Sequence, residues 1–144
     1  MVLRVEAIRQ RLLKLEQAVS RLQELGQSDR TVLRANFRDA WAAERGLQIA
    51  AEIVLDIGNH ILSAHFGESA RDYEDVIARL AGRGVIDDPL RARLKGLGGF
   101  RNVLVHGYLD LDPDRVADYL KDAPAQFTDF LDTIRRWLAT LPTA

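Results

Sequence analysis

Cysteine is absent from this chain. That one absence removes disulfide scaffolds, thiolate zinc sites and cysteine nucleophiles together, and it fits a cytoplasmic location. Long apolar runs are missing as well. The longest span only a few residues, against roughly 20 for a membrane-crossing helix, so no membrane segment is expected. The opening MVLRVEAIRQ alternates charged and apolar positions and has no continuous apolar core of the kind a secretory leader needs. An excess of one charge is also lacking. A net charge of −1 and a pI near 6.3 argue against a wholly basic nucleic-acid coat and leave room only for a local basic patch.

What is present suits one compact helical unit. At 144 residues the chain is about one domain long, with enough apolar residues for a single core. Val5, Ile8, Leu12, Leu15, Val19 and Leu22 recur in steps of three and four, the rhythm of a helix packed along one seam, and Gly26 is a natural stop. A second helix is expected to open near Ser28 or Asp29 and to run to about Phe66. Gly46 and Gly58 lie inside it, marking either close helix contacts or breaks. A third fits Ser69 to Leu80, with Tyr73, Val76, Ile77 and Leu80 on one face. Asp88-Pro89 and Asp112-Pro113 each read as a cap followed by proline in the first turn. Pro124 is expected to restart the chain before the stripe of Phe127, Leu131, Ile134 and Leu138. No strand pair, repeat or low-complexity stretch stands out. The expectation is an all-α, up-and-down bundle of four to five main helices.

The chemistry concentrates in FRNVLVHGY, residues 100–108. On a helix advancing 100° per residue, Asn102 and His106 share a face, and Arg101 stands about 140° from His106. Gly107 is a helix terminator by type, with Tyr108 just past the end. These residue types suit metal-free cleavage of RNA. Histidine exchanges a proton with a ribose 2′-OH or a departing 5′-oxygen, and arginine holds the scissile phosphate. Asparagine orients the imidazole or bonds the phosphate. One such histidine per chain suits a two-fold homodimer in which both copies line a cleft. Between Pro89 and Leu109 the chain carries Arg91, Arg93, Lys95 and Arg101 and no acidic residue, a local +4 that would attract an RNA backbone. The plainer alternative is a half-buried histidine bonded to a carbonyl. Spacing and charge alone favour that one.

Other groupings read as structure. A stripe of Glu44, Arg45, Gln48, Glu52, Asp56 and Asn59 or His60 is expected to be a solvated or paired helix face. Glu52 and Asp56 are its candidates for supporting the imidazole from behind. His60 and His65 are five apart, poor spacing for a shared metal, and no metal or cofactor is expected. LKGLGGF, residues 94–100, lacks the ending of a phosphate loop. Its glycines are expected to admit a neighbouring helix, within the chain or across a dimer. Phe37 and Trp41, four apart, read as core rather than as a base-stacking platform.

Taken whole, Arg101-Asn102-x3-His106-x-Tyr108 resembles the R-x4–6-H-x-Y signature of the HEPN superfamily. AAERGLQIAAEIVLDIGNHI (42–61), DYEDVIARLAGRGVI (72–86) and FRNVLVHGYLDLD (100–112) resemble its HepT-like branch, in the same order. The resemblance implies a single HEPN-like domain over residues 1–144 and a dimeric ribonuclease toxin using Arg101, His106 and Asn102. It also implies a small nucleotidyltransferase antitoxin that transfers AMP to Tyr108, where added bulk and negative charge would block an RNA phosphate. The rival within the same fold is a non-catalytic module that only docks onto such a nucleotidyltransferase.

Overall fold

The computed structural model describes residues 2–26, 30–107 and 111–142, with only the backbone described for Arg30 and Val32. These residues form α1 (Val5–Leu25), α2 (Arg30–Ala35), α3 (Phe37–Phe66), α4 (Tyr73–Gly82), α5 (Asp88–Leu94), α6 (Leu97–His106) and α7 (Pro113–Ala139). The fold is all-helical. Five main helices carry it, and α2 and α5 are short connectors. Among the described residues, no helix is long and apolar enough to cross a membrane.

The long α3 is the spine, in contact with α1, α2, α4, α6 and α7. The α1 seam of Ile8, Leu12, Leu15, Val19 and Leu22 is buried as its spacing required. It joins Leu47, Val54 and Ile61 of α3 and Phe127, Phe130 and Ile134 of α7 in one core. Neither internal glycine breaks α3. A Cβ at Gly46 would stand 2.9 Å from Leu22 Cδ2, and one at Gly58 would stand 2.5 Å from Val76 Cγ1. Both admit a neighbouring helix.

Four expectations are corrected by local chemistry. The second helix does not run unbroken to Phe66. Asn36 interrupts it in extended conformation and caps α3, its side chain accepting from the Arg38 and Asp39 amides; Ser28 and Asp29 lie outside the described residues. The third helix begins at Tyr73 rather than near Ser69, because Asp72 caps it through the Asp75 amide at 2.8 Å. The cap of α5 is Asp87, bonded to the Leu90 amide, and Asp88 is already helical. Finally, Pro124 restarts nothing. It lies buried within α7, where packing of Leu120, Ala123 and Phe127 offsets the roughly 3 kcal/mol that an interior proline costs. Asp112 caps α7 as its sequence indicated.

Phe37 and Trp41 are not core. They stand 59% and 65% exposed as an edge-to-face pair with centroids 5.2 Å apart.

Candidate active site

Phe100 and Leu104 anchor α6 in the core, and Phe100 stacks on Tyr119 at 3.6 Å between centroids. The start of α6 is set by α4. The Glu74 carboxylate accepts the Gly96 and Gly98 amides at 3.1 and 2.9 Å, supplying the anionic cap that this helix N-terminus lacks in its own sequence. Gly98 is needed there, since a Cβ would lie 2.6 Å from Tyr73 Cβ. The close approach that LKGLGGF permits is therefore to α4 of the same chain.

The outer side of α6 carries Arg101, Asn102 and His106. Arg101 is mostly buried, with 19% of its side chain exposed, and its Nη2 donates to Glu52 Oε1 at 3.0 Å. Its Nη1 donates to Asn102 Oδ1 at 3.3 Å, and the guanidinium carbon lies 5.0 Å from the centre of the Tyr73 ring. Its buried Nε has no hydrogen-bond partner among the described residues. Glu52 also accepts from Gln48 at 3.4 Å. Thus the polar stripe of α3 does supply a carboxylate to the motif, and its recorded partner is the guanidinium. Asp56 lies one turn further along. Desolvation raises its carboxyl above the usual range, opposed by Arg11, reinforced by Glu52 and opposed again by Arg101.

His106 is exposed at the last turn of α6 and makes no hydrogen bond among the described residues. Gly107 ends the helix, its N–H donating to the Val103 carbonyl at 2.9 Å. The imidazole is therefore not the half-buried, carbonyl-bonded side chain of the plainer alternative. Tyr108 lies outside the described residues.

Two openings adjoin this face. One, about 200 Å³, is lined by Glu52, Leu55, Asp56, Tyr73 and Arg101. The other, about 540 Å³, includes Asn59, Arg71, Tyr73, Gly98, Gly99 and Asn102 in its wall, and its size is in the range of small-ligand clefts. The basic segment is less free than its sequence suggests. Arg93 is paired with Asp129 of α7 and Arg101 with Glu52. Arg91 and Lys95 are exposed beside a separate groove between α4 and α5 that also holds Asp88 and Glu74. Among the described residues, no group of three His, Asp or Glu side chains is placed to hold a metal. His60 accepts the Arg4 amide at 3.0 Å, and His65 packs edge-on against Phe66 and Trp137.

Sequence reasoning passed over Tyr73 and Glu74. One lies under the Arg101 guanidinium and the other caps α6. Both sit in the first turn of α4, where spacing marks Tyr73 only as part of an apolar face.

A family model for HepT-like ribonucleases matches residues 15–134, which include α3, α4 and the whole of α6. The chain belongs to this family. It is accordingly an endoribonuclease. The HepT-like chain is 32% identical over 108 residues to a tRNA nuclease HepT of Aphanizomenon flos-aquae, covering 74% of this chain and 73% of that one. It is 27% identical over 121 residues to an mRNA nuclease HepT of Shewanella oneidensis, covering 84% and 90%. Its fold superposes with a TM-score of 0.79, at 26% identity, on a tri-AMPylated HEPN toxin of Shewanella oneidensis solved in complex with its MNT antitoxin, covering 90% of this chain and 96% of that one.

Proposed function

We propose that this HepT-like chain is the toxin of a toxin–antitoxin pair. It cleaves RNA without a metal through Arg101 and His106, with Asn102 assisting, in a cleft shared by a cytoplasmic homodimer. The observation that carries the reading is the state of Arg101. Its guanidinium is positioned by Glu52, Asn102 and Tyr73 yet keeps a buried Nε with no partner among the described residues. It lies beside the smaller opening and one residue from the nucleotide-sized one.

The chemistry follows from the charges. A phosphodiester drawn to Arg101 competes with Glu52 for the guanidinium and delocalises its developing negative charge onto it. His106, unencumbered on the helix end, takes the 2′-OH proton or returns one to the 5′-oxygen. The second proton carrier is the His106 of the other subunit across the two-fold cleft. Asp56, kept less acidic by desolvation, lines the smaller opening with Arg101. Arg91 and Lys95 extend the positive surface along α5, whereas the charge of Arg93 is offset by its pair with Asp129.

A nucleotidyltransferase partner, as antitoxin, silences the enzyme by transferring AMP from ATP to the Tyr108 hydroxyl, with loss of its proton and release of pyrophosphate. The adduct places a phosphate and a base two residues from His106, where the RNA would lie. The test is direct. Purified without partner, the protein should degrade RNA in EDTA while a folded His106→Ala variant is inert. Incubation with the partner and ATP should add the mass of AMP to the parent and not to Tyr108→Phe. Equal RNA cleavage by parent and His106→Ala would end the assignment.

A further inference from the structure

The exposed Phe37–Trp41 pair has no cover within the described chain and lies apart from the catalytic face of α6. Burying two aromatic rings is worth several kcal/mol, so their exposure at 59% and 65% is a feature to be explained. Arginines flank the pair. Residues 33–45 hold three of them (34, 38, 45) against Asp39 and Glu44, and Arg34 is paired with Asp114 of α7. The Arg38 guanidinium carbon stands 5.6 Å from the Phe37 ring centre, and Arg38 and Arg45 enter no ion pair among the described residues. Arg45 continues into a groove between α1 and α3 of about 560 Å³, where Arg11, Lys14 and Arg21 line an apolar floor that includes Ile49 and Ile53, and no carboxylate lines it.

Register then connects the pair to the site. Trp41 and Glu52 are eleven residues apart on one unbroken helix, which returns them to within about 20° of the same face, about 16 Å along the axis. Glu52 is the partner of Arg101. That distance is on the order of five nucleotides of a stacked strand at about 3.4 Å each. Exposed aromatics interleaved with arginine, over a floor that suits base faces, are the pattern of a single-strand stacking platform. A second copy of the chain fits less well. An isologous contact would set Arg38 and Arg45 against their own symmetry mates near the axis.

We infer that Trp41, with Phe37 and Arg38, is an RNA-binding site outside the catalytic centre, stacking an unpaired base a few nucleotides from the cut, with Arg45 guiding the intervening backbone. The placement of the cut rests on the reading of Arg101 given above; the stacking itself does not.

Fluorescence tests it on the full chain. The probe is a 2′-O-methyl 12-mer of mixed sequence, which binds without being cleaved. The protein has two tryptophans, and Trp137 packs against His65 and Phe66. In Trp137→Phe protein, or by subtraction of a Trp41→Phe spectrum should that variant misfold, saturating 12-mer should quench Trp41 emission by about half. Trp41→Ala should weaken binding about tenfold, and Trp41→Phe should restore most of it. On cleavable RNA, Trp41→Ala should raise KM about tenfold with kcat unchanged. Emission that ignores saturating RNA overturns the inference. So does Trp41 emission that changes with protein concentration in the absence of RNA, which would mark a subunit contact, or emission that responds only to the nucleotidyltransferase. A His106→Ala protein that quenches normally while cleavage fails to depend on His106 would sink the catalytic reading and leave the platform standing.

Discussion

Two arginine–carboxylate groups sit on neighbouring helices and behave differently. At the start of α4, buried Asp75 is saturated. It accepts the Arg71 amide at 2.9 Å and Arg79 Nε at 2.7 Å, with the Arg71 guanidinium at 3.4 Å from each of its oxygens. Those bonds hold its carboxyl far below the usual range, the Arg71 amide contributing most, then the Arg79 and Arg71 side chains. At α6, among the described residues, Arg101 has one carboxylate oxygen, one amide oxygen, one aromatic face and an Nε with no partner. A group with all its valences filled braces the scaffold. A group held in place with capacity to spare is ready for a ligand. Asp75 secures the first turn of α4, and that turn supplies Tyr73 and Glu74 to the site, so the saturated cluster positions the unsaturated one.

The sharpest division between the two clusters is in activity. Arg101→Ala and His106→Ala should each cut RNA cleavage by about 10² to 10⁴. His106→Ala should leave the melting temperature unchanged, because that side chain is exposed. Asp75→Asn should do the reverse at first, lowering the melting temperature clearly while any loss of cleavage is recovered at lower temperature. A variant of Asp75 that melts normally would show that the cluster braces nothing.

Acid should separate them next. Because the folded Asp75 carboxyl lies below its unfolded value of about 4, its stabilisation is complete above that pH and is lost progressively as pH falls from there toward the lower folded value. Thermal melts from pH 6 to pH 3 should show a steeper loss in the parent than in Asp75→Asn.

Glu52→Gln should have a smaller effect. Glu52 is partly exposed, so the loss of its ion pair should cost less than about 1 kcal/mol in stability. The effect on cleavage should fall on kcat through a less well-held Arg101. The smallest effect belongs to His60. Desolvation, then Arg11 and Arg4, lower its pKa, so its contribution to stability is intact above about 6.5 and declines as pH falls below that value. A His60→Gln variant should flatten that decline.

Much of the scaffold could be read from local spacing. The α1 seam needed only steps of three and four, and the Asp112-Pro113 start of α7 needed only a cap and a fixed φ. The motif helix with Gly107 at its end was legible in the same way, and the order of the HepT-like blocks points to the family from the sequence alone. Where the local signals misled, competing short-range chemistry was the cause. Asn36 outbid a continuous helix because its side chain satisfies two amides. Pro124 failed to end α7 because burial outweighed one lost hydrogen bond.

By itself, the chain's order of residues determined the helix inventory, the seams each helix buries and the gathering of Arg101, Asn102 and His106 on one short segment. Only the tertiary structure decided who meets whom. Glu52 reaches Arg101 across 49 positions, Asp129 takes Arg93, Glu74 caps α6, and Phe37 with Trp41 is left facing solvent. The reason is physical: periodicity is a property of a single helix, whereas these pairings depend on how helices rotate and slide against one another. That geometry is set by the packing of the whole core at once.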